Sequence, residues 1–147
     1  MWRIAWEGFK VRPLLGWGPE NYIHVFDRHF DLSYFKPDQG FGSWFDRAHS
    51  VYFDYLVETG ILGLLSFLAV FIFFYLEFFK KTGEGITSKL GGLSLSRVGF
   101  RGLLFAFPAA YLIQGIVLFD VFIIYLNIFI ILAFASFLFY FSERQLL

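Results

Sequence analysis

Hydrophobic positions in this chain gather into three long, nearly unbroken runs. They are "ILGLLSFLAVFIFFYLEFF" (61–79), "GLLFAFPAAYLIQGIVLF" (102–119) and "VFIIYLNIFIILAFASFLFYF" (121–141). A helix crossing the hydrocarbon core of a bilayer needs about 20 apolar residues, so the pattern predicts three transmembrane helices. The first 60 residues are patterned differently. In "MWRIAWEGFKVRPLL", Ile4, Phe9 and Val11 recur among aromatic and charged residues, which predicts a helix lying near the interface and ended by Pro13. The next stretch, "GWGPENYIHVFDRHFDLSYFKPDQGFGSWFD", is crowded with Gly, Pro, Asp and aromatics. It predicts an ordered loop with short helical turns, because so many large aromatics are out of place in a disordered segment. From Asp46, as N-cap, a helix is expected to run through Gly60 into the first span, with Gly60 and Gly63 allowing a kink or a close helix crossing. Two regions follow: an outer loop region with an interfacial helix (1–60) and a transmembrane region (61–147).

Composition strengthens the membrane reading. The chain is 58% hydrophobic and 24% aromatic, with 23 Phe among 147 residues, and its mean hydropathy is +0.63. That leaves too little polar surface for a soluble protein. The fold class expected is all-α integral membrane. Net charge is zero, but the segment between the first two runs, residues 80–101, holds Lys80, Lys81, Lys89, Arg97 and Arg101 against Glu84 alone. Short loops rich in Lys and Arg stay in the cytoplasm. The first span therefore runs inward, residues 1–60 lie outside, the second span returns to a tight outer turn at Asp120, and the third ends inside at "SERQLL". The expected location is the cytoplasmic (inner) membrane, with several passes. The start "MWRIAWEGFK" lacks a basic region followed by an apolar core, so it is no signal peptide. Three helices also make a thin wall for a catalytic cavity, so the chain reads as the carboxy-terminal piece of a larger polytopic protein. There is no cysteine, hence no disulfide framework and no thiolate site.

Chemistry gathers around His49 in "WFDRAHSVYFDYLVETGILGLLSFL" (44–68). An imidazole with a pKa near 6.5 suits proton transfer at neutral pH. On the same side stand Arg3, Arg12, Arg28 and Arg47, and guanidinium groups bind phosphates through planar, charge-assisted hydrogen bonds. The spacing after the histidine is regular: His49, Ser50, nine residues, Gly60, two residues, Gly63. At a glycine usage of about 7%, two glycines at such fixed offsets meet by chance roughly once in 200 cases. This pattern resembles the His-polar-x9-Gly-x-x-Gly signature of the O-antigen ligase and polymerase family of lipid-linked glycan transferases. "RIAWEGFKVRPLLGWGPENY" resembles that family's approach to its outer loop, an arginine before a tryptophan and then Pro-Leu-Leu-Gly-x-Gly with Gly16 and Gly18. Ser50 stands where the family more often has Asn. The resemblance covers residues 1 to about 68, and "YLIQGIVLFD" (111–120) is similar more loosely.

The resemblance implies a many-helix glycosyltransferase bundle that works without a metal or other cofactor. Such enzymes move a glycan from a polyprenyl diphosphate to an acceptor hydroxyl on the outer side of the cytoplasmic membrane. His49 would be the general base, and Arg3, Arg47 and Arg12 would hold the diphosphate. The acceptor would be a glycan, a lipid-linked sugar or a protein hydroxyl, with membrane lipids as surroundings; no nucleic-acid partner is expected. The chain departs from the family in showing three spans instead of about a dozen.

Each assignment has a plainer rival. A lone interfacial histidine is usually a boundary residue, and interfacial arginines are often headgroup anchors. Gly16 and Gly18, followed by Pro19, serve a turn on the plain reading, and Asp120 a solvent-exposed hairpin. "HVFDRHFD" offers His24, Asp27, His29 and Asp31, which are metal-ligand types, but without HExxH-like regularity, so a wet loop is expected there and no metal. A second function class also fits the length, a noncatalytic membrane module or truncated remnant. Within the enzyme class, the alternatives to a ligase are a polysaccharide polymerase and a protein O-glycan transferase.

The predicted topology is testable by labelling. A cysteine introduced at Ser33 should react with a membrane-impermeant thiol reagent in intact cells, and one at Ser88 should resist it. The reverse pattern would overturn both the orientation and the placing of His49 outside.

Overall fold

A computed structural model describes residues 1–30, 45–82 and 97–144. Among them are six helices: α1 (Trp2–Val11), α2 (Tyr22–Arg28), α3 (Val51–Glu58), α4 (Gly60–Thr82), α5 (Arg97–Gln114) and α6 (Phe122–Arg144). The described residues are helical without strands, as the apolar pattern required. They divide into two units. One comprises residues 1–67 with 115–119, and the other residues 68–114 with 120–147.

In the first unit, α1 packs on α2 and α3. Its inward face is Ile4, Ala5 and Gly8, while Val11, expected on the apolar face, is exposed. Ile4 and Ala5 join Tyr22, Val25, Phe26, Ala48 and Val57 in a core whose members are at most 1% exposed. Burying an aliphatic or aromatic side chain of this size contributes about 1.5–3 kcal/mol, so this cluster fixes how α1, α2 and α3 meet. Pro13 follows the end of α1 as expected, and α2 supplies a short helical turn within the aromatic-rich stretch. The rest of that stretch, 31–44, lies outside the described residues, as do 83–96 of the basic loop and the end at 145–147.

The helix expected to start at Asp46 and pass through Gly60 is not continuous. It begins at Val51 with Ser50 in the N-cap position. His49 has φ +58, a left-handed conformation that no α-helix can pass through, so Asp46 cannot cap it. The helix stops at Glu58; Thr59 has φ −120 and ψ 0, and Gly60 has φ +68. Between α3 and α4 the chain therefore turns at a joint.

What holds this joint is the loop 13–18. Its backbone donates Trp17 N–H to Val57 O at 2.9 Å and Gly18 N–H to Glu58 O at 2.8 Å, and Pro13 O accepts from Ile61 N at 2.8 Å. The last carbonyls of α3 and a first N–H of α4, which a broken helix leaves unpaired, are thus satisfied by a segment some 45 positions away. Contact is at backbone distance. A Cβ on Gly16 would lie 2.5 Å from Val57 O, and one on Gly60 would lie 2.3 Å from Leu14 O.

Among the described residues, two helices, α4 and α6, are long and apolar enough to cross a membrane, over Gly60–Lys80 and Phe122–Tyr140. Their apolar side chains are largely exposed, with Phe73, Phe79, Phe122 and Ile123 each 60% exposed or more, as on a helix facing lipid rather than a protein core. The second expected span does not have the predicted limits. Its helix, α5, reaches back through Arg101 to Arg97 and ends at Gln114, leaving 115–119 outside the helix. Pro108 sits inside α5; a proline there removes an N–H and loosens the preceding turn. Tyr75 on α4 donates its hydroxyl to Phe105 O at 3.0 Å in that turn.

Gly60→Ala should destabilise the protein by about 1–3 kcal/mol, the cost of a strained non-glycine backbone with a backbone atom in the way. Gly102→Ala, where an added Cβ meets nothing within 4 Å, serves as the control. Thermal unfolding in detergent reads both, and equal midpoints for the two variants would show that the joint is not held as described.

Candidate functional site

His49 is carried on a short, strained loop between two buried neighbours. Ala48 is 0% exposed and Ser50 is 2% exposed, whereas His49 itself is exposed. Several contacts fix the backbone here. Ala48 N–H donates to Asp54 Oδ1 at 2.8 Å, a reach back from the first turn of α3 that occupies a donor preceding the helix. Ser50 Oγ donates to Gly115 O at 3.2 Å, and Val51 N–H is shared between Gly115 O at 2.9 Å and Leu118 O at 3.0 Å. Non-glycine residues with positive φ persist where surrounding structure over-determines them, and they cluster at functional sites.

The same contacts explain two features of the sequence. Residues 115–119 leave the helix because their carbonyls serve the start of α3, a tertiary demand that apolar patterning does not reveal. They also bring part of "YLIQGIVLFD" to the histidine. The Phe119 ring meets His49 edge-on at 5.2 Å, and Phe45 does so at 5.6 Å. His49 Nδ1 lies 3.3 Å from Arg47 O. Asp120, expected as a bare hairpin turn, is half-buried and accepts a hydrogen bond from Tyr111 Oη.

Of the four arginines expected on the outer side, the structure brings Arg47 to the histidine. Its guanidinium lies 6.0 Å from the Phe119 ring centroid, and its Nη2 donates to Glu20 Oε1 at 2.7 Å. Arg12 is placed elsewhere: its guanidinium stacks 4.5 Å from the centroid of Trp17, with Arg28 at 5.7 Å from the same ring. Trp17 in turn donates Nε1–H to Gly8 O at 2.8 Å, so Arg12 braces the loop that caps α3. Arg3 is exposed on the first turn of α1. The motif glycines are architectural. Gly16, Gly18 and Gly60 have positive φ and sit in the joint, and Gly63 lies one turn into α4 against the Thr59 side chain.

Carboxylates that the motif did not single out complete the site. Asp54 and Glu58 are one turn apart on α3 and share a face. Asp54 is 7% exposed, and Glu58 Oε1 is buried without a hydrogen-bond partner. Burial pushes the Glu58 carboxyl up to about 7, with repulsion from Asp54 and Glu20 adding to it; attraction to Arg47 and the Glu20 backbone N–H pull the other way. Their i, i+4 spacing was present in the sequence, but without the fold nothing marked that face as inward. Among the described residues no group of three or more His, Cys, Asp or Glu side chains is placed to hold a metal; Asp31 lies outside them.

Residues 1–68 match the family model described as O-Antigen ligase. The resemblance read from the His49 motif thus stands on an independent comparison, over the stretch that forms α1 to α3, the joint and the first turns of α4. The match supports a general role in glycan transfer by a ligase or glycosyltransferase type of enzyme, with a lipid-linked glycan donor and a glycan acceptor. Together with the two apolar helices it marks a membrane protein. No curated protein and no solved structure matches the chain.

The raised Glu58 carboxyl has a consequence for stability. A carboxyl whose pKa is higher folded than unfolded stabilises the fold fully below its ordinary value of 4.5, and that stabilisation is lost as pH rises through about 7. Melting temperature should therefore fall between pH 5 and 8, and Glu58→Gln should flatten that fall. One titrating proton imposes at most about 1.4 kcal/mol per pH unit, and solvent screening of this half-buried group keeps the slope below that. Parallel curves for the two proteins would remove Glu58 as the cause.

Proposed function

We propose that this chain, whose first 68 residues match the O-antigen ligase family, carries the histidine-bearing part of an enzyme acting on the outer side of the cytoplasmic membrane. The reaction is transfer of a glycan from a polyprenyl diphosphate to an acceptor hydroxyl. His49 takes the proton from the acceptor hydroxyl as it attacks the anomeric carbon. The carbon–oxygen bond to the diphosphate breaks, and the diphosphate leaves with the bonding electron pair. Arg47 and Arg3 hold the anion as its charge grows. Arg12, placed in the same role by the sequence, contributes through the brace on Trp17 as well.

The observation that carries this reading is the presentation of His49: an exposed imidazole on a left-handed backbone, with buried residues on both sides and a guanidinium as neighbour. A boundary histidine needs no such constraint. A positioned general base contributes about 10²–10⁴-fold, and charge-assisted hydrogen bonds aimed at a leaving anion act most strongly where water is excluded. A ligase, a polymerase and a protein O-glycan transferase share this half of the reaction and differ in the acceptor.

His49→Ala in the whole protein should lower transfer by about 10²–10⁴-fold while leaving the donor bound. Arg3→Ala should instead weaken donor binding by roughly 1.5–3 kcal/mol, with lower turnover, and Arg3→Lys should restore it only in part, since an ammonium lacks the bidentate fork. Activity should persist in EDTA. Transfer assays with membrane-reconstituted protein check all four, and full activity of a folded His49→Ala would refute the base assignment.

A further inference from the structure

The guanidinium assigned to the diphosphate is already occupied. Arg47 Nη2 donates to Glu20 Oε1 at 2.7 Å, and the two ends of this ion pair differ sharply in setting. The Arg47 side chain is 26% exposed and that of Glu20 is 77% exposed. The arginine end is held, lying against Phe119, the ring that also meets His49. The glutamate end projects into solvent from a backbone that is itself fixed. Glu20 has φ +63 and sits inside the turn that Asn21 N–H closes on Gly18 O at 3.3 Å. A strained backbone thus holds an exposed carboxylate against a largely covered guanidinium, beside the residue proposed as base.

Carboxylate and phosphate present the same acceptor geometry to a guanidinium fork. We propose that Glu20 is a positioning residue which occupies the phosphate subsite of Arg47 in the empty protein and is displaced by the donor's diphosphate. This rests on the reading of Arg47 as a diphosphate ligand. Exchange requires rotation of the Glu20 side chain alone, because the guanidinium already lies where the anion is needed. It is also favourable: an exposed ion pair is weak, whereas a charge-assisted contact to a phosphate is stronger. Until the donor arrives, Glu20 keeps Arg47 paired and shuts out weakly bound anions, so the subsite selects for a ligand carrying enough negative charge to outcompete a carboxylate.

The sign of the mutant effect decides the matter, measured on the whole protein in nanodiscs with a polyprenyl-diphosphate glycan as donor and inorganic pyrophosphate as competing probe. Removal of a competitor predicts that Glu20→Gln and Glu20→Ala each lower the KM for donor and the inhibition constant for pyrophosphate about two- to fivefold, the range an exposed ion pair spans. The same substitutions in an Arg47→Ala background should then have no effect on either constant. If Arg47→Ala raises KM but the Glu20 variants leave it unchanged or raise it, the placeholder role falls and the diphosphate role of Arg47 stands. If Arg47→Ala leaves KM unchanged, the assignment of Arg47 falls and the proposal with it.

Discussion

The joint between α3 and α4 is the contact on which the first unit depends. A helix broken at Thr59 exposes carbonyls at one end and N–H groups at the other, and a buried backbone polar group left unpaired costs about 1–3 kcal/mol. Loop 13–18 answers both ends at once through Trp17, Gly18 and Pro13. Because those bonds run between backbones, the approach tolerates no side chain at Gly16 or Gly60. The braces on Trp17 from Arg12, Arg28 and Gly8 O then tie the loop to α1 and α2. With the joint closed, Glu20 is delivered above Glu58 and beside Arg47.

A second constraint acts at the other end of α3. The helix carries no side-chain cap of its own at Ser50, and its first N–H, that of Val51, looks outward for an acceptor. The carbonyls of Gly115 and Leu118 share it, and this brings Phe119 to the imidazole. One eight-residue helix is thereby clamped at both termini by segments distant in sequence. The chemistry-bearing residues His49, Asp54 and Glu58 all sit on it or directly before it.

Much of this was legible in the sequence because it depends on one-dimensional patterns. Runs of apolar residues located α4 and α6, Pro13 marked the exit from α1, and the offsets from His49 to Gly60 and Gly63 carried the family resemblance. Other features were hidden because they depend on partners far along the chain. The expected N-cap at Asp46 fails on the left-handed backbone at His49. The second apolar run loses its last five residues to a loop because Ser50 and Val51 need their carbonyls. Gly16 and Gly60, read as turn and kink residues, do stand at bends with positive φ, but what excludes a side chain there is the facing backbone; Gly63 lies within the continuous helix α4. Arg12, read as a phosphate ligand, also stacks on Trp17, a pairing that spacing could not disclose. Glu58 and Glu20 were passed over because a carboxylate in a polar stretch draws notice only when its burial or its partner is known.

If His49 acts as proposed, the strain on its backbone also bears on the entropy of catalysis. Ala48 and Ser50 are packed away on either side, and their backbone and side-chain contacts to Asp54 and Gly115 leave the intervening residue little freedom beyond its two side-chain torsions. Any molecule that engages the imidazole meets a group whose backbone was ordered when the chain folded, so the loss of freedom on engagement falls on the incoming molecule and on those two torsions. On the proposed role of His49, selection among acceptors is then a matter of which hydroxyl can be steered within the short reach that those two torsions allow.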